Sequence, residues 1–125
     1  MRDRGAKGEN LASDFLLENG YEILARNWRG KGQLRSPEID IIARDGKTIV
    51  FVEVKSFASR GFDQPEYRLD LRKISRLACA AQAYLSQIDH DDCSCRFDVM
   101  IVNMAEGGCV IDHIKDAFRA PDEPI

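Results

Sequence analysis

The sequence lacks the features of a membrane or secreted protein. No apolar run approaches the roughly 18 residues that a membrane-spanning helix needs. The first ten residues, MRDRGAKGEN, are charged and lack the apolar stretch of a secretory signal. We therefore expect a cytoplasmic protein that has no membrane partner.

An excess of positive charge is also absent. The net charge is -3 and the isoelectric point is about 5.4. This balance argues against a surface coated with basic residues for indiscriminate DNA binding. It is compatible with a local basic patch, because the field in a groove depends on nearby charges more than on the total charge.

Cysteines are few and are poorly spaced for a metal site. Cys93 and Cys95 are too close for a zinc knuckle, and no second Cys or His pair completes one. Cys79 lies on a helical apolar pattern, and Cys109 opens an apolar strand. We expect all four to be free thiols that are buried or lie in loops.

The remaining composition indicates one globular domain. The chain has 125 residues, of which 44% are hydrophobic and 31% are charged. A chain of this length buries roughly two-thirds of the surface that its unfolded form exposes. We expect residues 1–118 to form the single domain and residues 119–125 to form a flexible tail.

The hydrophobic pattern predicts a helix, three strands, a second helix and two more strands. The predicted helices cover 5–19 and 69–88, and the predicted strands cover 21–28, 38–44, 47–55, 95–103 and 109–114. Asp45-Gly46 is a strong signal for a hairpin turn between the second and third strands. The long helix can connect the third and fourth strands in a parallel crossover. The order predicts an α/β fold with a central mixed β-sheet of about five strands, flanked by helices.

Three charged residues fall on the predicted hairpin. Because side chains alternate along a strand, Glu53 and Lys55 lie ~6.7 Å apart and project in the same direction. Asp40 comes from the neighbouring strand. The register of the hairpin decides how close Asp40 comes to Glu53, and the sequence does not fix that register.

A meeting of these side chains would have a chemical consequence. Two carboxylates ~4 Å apart repel by about 4 kcal/mol at an effective dielectric constant near 20, so a cation is needed to keep both ionised. Carboxylate oxygens with open water positions suit Mg²⁺ or Mn²⁺, which polarise phosphate and acidify water. A lysine can orient that water or offset developing charge. The set therefore predicts a phosphodiester-cleaving site.

The alternative is that Glu53 and Lys55 form an ordinary solvated strand surface, since Glu-x-Lys is common by chance. The residues around Glu53, however, are strongly apolar: Ile49, Val50, Phe51, Val52 and Val54. Such a run predicts a strand buried on both faces, where charges are rare unless they are paired or bind metal. This context favours the functional interpretation.

Other charged residues could complete such a site. Glu9 is either a first-turn glutamate that complements the helix dipole or a third carboxylate aimed at the metal. Basic residues in the segment 26–35 could contact phosphates, while Trp28 is better interpreted as a core residue. Cations at a helix start oppose the dipole, so the cluster on the second helix also hints at phosphate binding. The candidate nucleic-acid contacts are Arg26, Arg29, Lys31, Arg35, Arg72, Lys73 and Arg76.

Asp98 lies on a strand whose hydrophobic pattern predicts a central position in the sheet. We expect it to form a buried ion pair with a basic residue. His90 and His113 are isolated in the sequence, and we assign them no role.

Seven segments together resemble a known family. They are GxxGENxA (5–12), GYEILARNWR (20–29), EIDIIARDG (38–46), VFVEVK (50–55), RKISRL (72–77), RFDV (96–99) and HIKDAF (113–118). In this order they resemble the uncharacterised bacterial YraN family over nearly the whole chain. That resemblance implies a restriction-endonuclease-like fold of the PD-(D/E)XK superfamily and similarity to Holliday-junction resolvases.

The resemblance also implies roles for particular residues. It places the metal ligands at Asp40, Glu53 and the Val54 carbonyl, the catalytic lysine at Lys55 and a supporting carboxylate at Glu9. It implies Mg²⁺-dependent cleavage of DNA, with branched DNA as a candidate substrate. Because related resolvases act as dimers, a homodimer is a further expectation, although the sequence shows no interface signature.

Two departures from the family pattern concern substrate contacts. Pro37 replaces the usual glycine before the Glu-Ile-Asp run, and the segment after Lys55 reads SFASRGFDQP instead of the usual Thr-Arg start. Because fold and function separate easily, two alternatives stay open. One is a non-catalytic nucleic-acid-binding or adaptor protein, and the other is a structural partner subunit.

Overall fold

Two helices and five strands make up the described part of the chain. The computed structural model describes residues 2–30, 38–58, 71–89, 92–104 and 108–119. The elements are α1 Arg2–Glu18, β1 Glu22–Arg29, β2 Glu38–Asp45, β3 Thr48–Phe57, α2 Leu71–Leu85, β4 Ser94–Asn103 and β5 Val110–Phe118. Lys31, Arg35 and His90 lie outside the described residues, as do most of the SFASRGFDQP segment after Lys55 and all but the first residue of the expected tail.

The strands form one mixed sheet in the spatial order β1-β2-β3-β4-β5. Only the β3–β4 pair is parallel among these neighbours, and α2 lies between those two strands in the chain. This confirms the predicted α/β fold with a five-stranded mixed sheet and a crossover helix. Neither described helix is long and apolar enough to cross a membrane.

Each face of the sheet is covered by one helix. Ala12 and Leu16 of α1 pack against Ile41, Val52 and Met100 on one side. On the other side, the α2 residues pack in a separate cluster; its buried members are Ile39, Ile42, Ile49, Phe51, Leu77, Ala80, Ala81 and Phe97. The apolar run of β3 is buried on both faces, as predicted.

Trp28 belongs to the α2 side of the core. Its ring is half-buried against that cluster and meets Tyr84 edge to face, with ring centroids 5.5 Å apart. The interpretation of Trp28 as a core residue is confirmed.

The hairpin turn lies one residue later than predicted. The central turn residues are Gly46 and Lys47, and Asp45 pairs with Thr48. Gly46 has φ 62°, a left-handed conformation that glycine adopts without steric cost. The prediction of Asp45-Gly46 as the turn was therefore wrong by one residue.

The last strand is longer than its apolar pattern predicted, because it resumes after an irregularity. Its register with β4 shifts between Phe97 and Val99, and Asp116 adopts φ 51°. Beyond that point, Phe118 pairs with Phe97, and their rings stack with centroids 4.8 Å apart. The strand therefore ends at Phe118 rather than at residue 114.

Asp98 is the centre of a buried polar network. Its carboxylate is fully buried and accepts hydrogen bonds from Arg96 Nε at 2.9 Å and from the Asp116 N–H at 2.9 Å. His113 Nε2 lies 2.7 Å from the same carboxylate. The predicted ion pair is confirmed. The interpretation of His113 as isolated was wrong, because the β4–β5 pairing brings a residue 15 positions away into contact.

Asp98→Asn should destabilise the fold by about 3 kcal/mol, because Arg96 and His113 lose the buried charge that pairs with them. Burial raises the pKa of Asp98, but hydrogen bonds from His113, Arg96 and Asp116 outweigh it and leave the pKa below its usual range. The stabilisation is therefore full above the unfolded pKa of about 3.9 and is lost as pH falls through the lower folded value.

Urea denaturation of this variant and of the exposed control Asp112→Asn checks the prediction. The control should stay within about 0.5 kcal/mol of wild type. The gap between wild type and Asp98→Asn should narrow below about pH 4. A gap under about 1 kcal/mol at neutral pH would contradict the role given to Asp98.

All four cysteines lie within the described ranges and are free thiols, as predicted. The expectation that they are buried or in loops was wrong for Cys79, which is exposed on α2, and for Cys95, which is exposed on β4. The buried stripe of α2 runs through Leu77, Ala80 and Ala81, so Cys79 points away from the sheet.

Candidate active site

Asp40 lies at a break in the sheet. The pairing of β2 with β1 skips Asn27 and Asp40, and its pairing with β3 ends at Ile41. Asn27 has φ 51°, a conformation that asparagine tolerates better than most residues. In place of a backbone partner, the Val54 N–H donates a 2.8 Å hydrogen bond to Asp40 Oδ2. The break therefore directs the Asp40 carboxyl toward β3.

The carboxyl groups of Asp40 and Glu53 converge. They line the same cleft, close enough for the charge of Glu53 to raise the pKa of Asp40, and the Glu53 side chain is only 6% exposed. Lys55 Nζ lies 4.0 Å from Glu53 Oε2. The hairpin register that the sequence left open thus brings the three side chains together on one side of β3.

These residues line a cleft of about 380 Å³ between the two helices at the carboxyl end of β3. Residues from α1, β2, β3 and α2 contribute to it: Gly5, Glu9, Asp40, Glu53, Val54, Lys55, Ser56 and Lys73. Glu9 lines the same cleft as Asp40 and Glu53, and its role as a third carboxylate toward a metal stays a prediction. Its Oε1 lies 3.8 Å from Arg26 Nη2, which places an arginine beside Glu9.

Gly8 allows α1 to approach the end of β3. A Cβ atom at Gly8 would lie 1.8 Å from Ser56 Oγ and 2.9 Å from Ser56 Cβ. Rotation of the hydroxyl cannot relieve the second contact, so a larger residue would push the helix away. The close approach carries the neighbouring Glu9 into the cleft.

Gly8→Ala should therefore destabilise the protein by about 1–3 kcal/mol through overpacking. Gly5→Ala is the matched control, because a Cβ at Gly5 meets no atom within 4 Å. The control should be neutral or up to about 1 kcal/mol stabilising, since alanine is the better helix former. Thermal and urea unfolding measure both, and Ser56→Gly should restore stability to Gly8→Ala. Equal stabilities of the two alanine variants would contradict the close approach.

The cleft is electrostatically strained by its carboxylates. Burial is the largest influence on Asp40, and with the charges of Glu53 and Glu9 it raises the pKa to about 8, against the hydrogen bond from Val54. Burial and the neighbouring Lys73 ammonium lower the pKa of Lys55, against the attraction of Glu53. Each extra proton or cation near Asp40 relieves this strain.

Lys73 lies inside the cleft beside Glu53, whereas the sequence predicted it only as a phosphate contact. Its Nζ is 2.5 Å from Glu53 Oε2. Burial lowers the pKa of Lys73, but the close, negatively charged Glu53 carboxylate is the main influence that raises it, and the net shift of the pKa is upward. A signal for this position was present, because Lys73 lies four residues before the buried Leu77 and so on the same face of α2.

The donor atoms of the cleft fit a hard divalent cation. Glu53 Oε2 is buried, and among the described residues it accepts no hydrogen bond with acceptable angles, despite the short contact to Lys73. Hard cations prefer carboxylate, carbonyl and water oxygens. Within the described ranges, no three His, Cys, Asp or Glu side chains are grouped closely enough to form a metal centre by themselves. Water would have to complete the coordination.

The other basic candidates within the described residues lie outside the cleft lining. Arg29 pairs with Glu38 at 3.0 Å on the surface. Arg72 and Arg76 are exposed on α2. Their contact with phosphate stays a prediction, as do the roles of the residues that the cleft brings together.

The fold and the cleft define a class of protein: an α/β domain, consistent with the restriction-endonuclease-like fold, that holds an acidic, lysine-containing site beside its central strand. The model of the uncharacterised protein family UPF0102 matches residues 8–102. The chain belongs to this family, and its resemblance to YraN proteins is confirmed.

Several UPF0102 proteins are similar to the chain over most of their length. A Nitratidesulfovibrio vulgaris protein is 44% identical over 114 residues, which cover 91% of this chain and 82% of the relative. A Syntrophus aciditrophicus protein is 45% identical, with 92% and 87% covered. A Bacteroides thetaiotaomicron protein is 44% identical, with 94% and 93% covered.

Proposed function

We propose that this protein is a metal-dependent endonuclease that cleaves DNA by phosphodiester hydrolysis. The observation that carries the proposal is that the Asp40 and Glu53 carboxyl groups line one cleft together with Lys55, whose Nζ lies 4.0 Å from Glu53 Oε2. A carboxylate pair that faced a bound phosphate without a cation would repel it. A site built only to bind DNA gains nothing from such a pair.

The residues of the cleft supply distinct functions. Asp40, Glu53 and the Val54 carbonyl would hold Mg²⁺ or Mn²⁺, with Glu9 in support. When bound, such an ion supplies a Lewis acid for the phosphate and acidifies a water. Lys55 orients the attacking water, and its lowered pKa brings it closer to the range in which it can accept a proton.

The substrate in this proposal is DNA, with four-way junctions as the preferred form. Arg26, Arg72 and Arg76 contact the phosphates that flank the cleaved bond, since phosphate contacts position DNA without reading its sequence. The acidic total charge makes these local cations the source of affinity. We also place the protein in the cytoplasm, where bacterial chromosomes lie, and expect a homodimer on the two-fold symmetric junction.

The second candidate function is a non-catalytic nucleic-acid-binding or adaptor protein. The ion pair between Lys73 and Glu53 favours it, because that contact neutralises Glu53 without a metal. This candidate shares the DNA contacts of the first and differs only in chemistry.

Cleavage assays separate the two candidates. Supercoiled plasmid, linear duplex and end-labelled four-way junctions are incubated with the purified protein and Mg²⁺ or Mn²⁺, and with EDTA as the metal-free control. The nuclease proposal expects nicks that require the metal and are fastest on the junction. Sedimentation of the junction complex should give two protomers per junction. Binding to junctions without cleavage in either metal would replace the first candidate with the second.

A further inference from the structure

The Lys73 ammonium contacts the Glu53 carboxylate oxygen that a bound metal ion would need as a ligand. Lys73 Nζ lies 2.5 Å from Glu53 Oε2, whereas Lys55 Nζ lies 4.0 Å from the same atom. The Glu53 side chain is 6% exposed, so water offsets little of its negative charge. Lys73 lies in the first turn of α2, whereas Asp40 and Glu53 lie on the strands β2 and β3.

We propose that Lys73 is the built-in counter-ion of the metal-free cleft and competes with a divalent cation for Glu53, so that Lys73 sets the metal affinity of the site. This inference rests on the proposed function, because it assumes that the cleft binds a metal. In this role Lys73 is a positioning residue that acts through Glu53.

The charges of the cleft make this competition necessary. Glu9 and Glu53 contribute negative charge, and Lys55 and Lys73 contribute positive charge. A divalent ion on Asp40 and Glu53 would repel an ammonium that stayed in contact with Glu53. One of the two cations must therefore leave that oxygen.

Lys73 is the cation that can leave. Its side chain is 40% exposed, so a path to solvent is open, and a lysine has a flexible four-carbon stem and a compact charge. Lys55 is fixed two residues from Glu53 on the same strand and does not make the short contact.

Calorimetric titration of Mn²⁺ into the metal-free protein, without DNA, tests the competition. Lys73→Met removes the ammonium and should tighten Mn²⁺ binding by about tenfold or more, since the ion no longer displaces a charge. Lys73→Arg keeps a cation near Glu53 and should bind no tighter than wild type. Lys47→Met removes the same charge from the exposed hairpin turn, at the opposite end of β3, and should change the affinity by less than about twofold.

The thermal unfolding midpoint supplies a second measurement if Lys73→Met is poorly folded without metal. Mn²⁺ should then raise the midpoint of Lys73→Met by more than it raises that of wild type. If wild type binds Mn²⁺ and the Lys73→Met variant binds it equally or more weakly, the competition is overturned. That result would leave the nuclease proposal standing. Failure of both proteins to bind Mn²⁺ would overturn the metal site itself, and the inference with it.

Discussion

Asp40→Asn should reduce DNA cleavage by at least about 10³-fold while leaving the metal-free fold intact. Asparagine keeps an oxygen that can accept the Val54 N–H. It removes the negative charge that would hold the metal beside Glu53. We therefore expect Asp40→Asn to lose DNA cleavage but to keep the hydrogen bond from the Val54 N–H at the break in β2.

The same substitution should raise the stability of the metal-free protein. In wild type the Asp40 carboxyl is buried near Glu53 and Glu9, and both effects disfavour its charged form. Functional sites commonly sacrifice stability in this way. A lower activity together with a higher stability would identify Asp40 as a functional carboxylate. Substitution of a purely structural residue would lower both activity and stability.

Plasmid nicking and urea denaturation measure the two effects on the same preparations. Glu18→Gln is the control, since Glu18 is exposed on α1 outside the cleft lining and its substitution removes the same charge. Junction binding should persist in Asp40→Asn in the absence of metal, because the phosphate contacts remain. Cleavage by Asp40→Asn within about tenfold of wild type would contradict the role of Asp40 as a metal ligand.

The sequence was sufficient to predict the sheet, but its register was not accessible. The apolar run around Glu53 predicted a strand buried on both faces, and burial of a run that is apolar at nearly every position is enforced by the hydrophobic effect. The position of the turn depends on smaller free-energy differences than the burial of the strand does. A shift of the turn by one residue changes the β3 partner of every β2 residue by two positions. With Asp45-Gly46 as the turn, Asp40 would lie across from Phe51, whereas the observed pairing of Ile41 with Val52 carries it to Glu53.

The parts of the site that the sequence missed depend on tertiary contacts. Lys73 enters the cleft because α2 crosses the sheet at one particular angle, and helical periodicity gives only the face on which it lies. His113 shares a face with Asp98 because it pairs with Met100, and the Asp116 N–H reaches the same carboxylate where β5 is irregular. Strand irregularities and helix placement are set by packing between distant segments, which local sequence patterns do not encode.

The metal-free protein should lose stability as pH rises from about 5 to 8, at a slope approaching 1.4 kcal/mol per pH unit from Asp40. The folded protein retains the Asp40 proton up to a pKa of about 8 because burial and the charges of Glu53 and Glu9 disfavour ionisation. The unfolded chain releases the same proton near pH 3.9. Between these values the unfolded state binds fewer protons, so each increase in pH favours unfolding.

Urea denaturation across this pH range, with EDTA present, isolates the contribution of Asp40 when wild type is compared with Asp40→Asn. The variant should lose most of the slope, whereas Asp14→Asn, which changes an exposed aspartate on α1, should keep it. Saturating Mg²⁺ should flatten the wild-type profile, because a bound cation stabilises the ionised carboxylate and replaces the proton. Parallel profiles for wild type and Asp40→Asn would show that Asp40 is ionised throughout, and the crowded carboxylate pair would then no longer support a metal site.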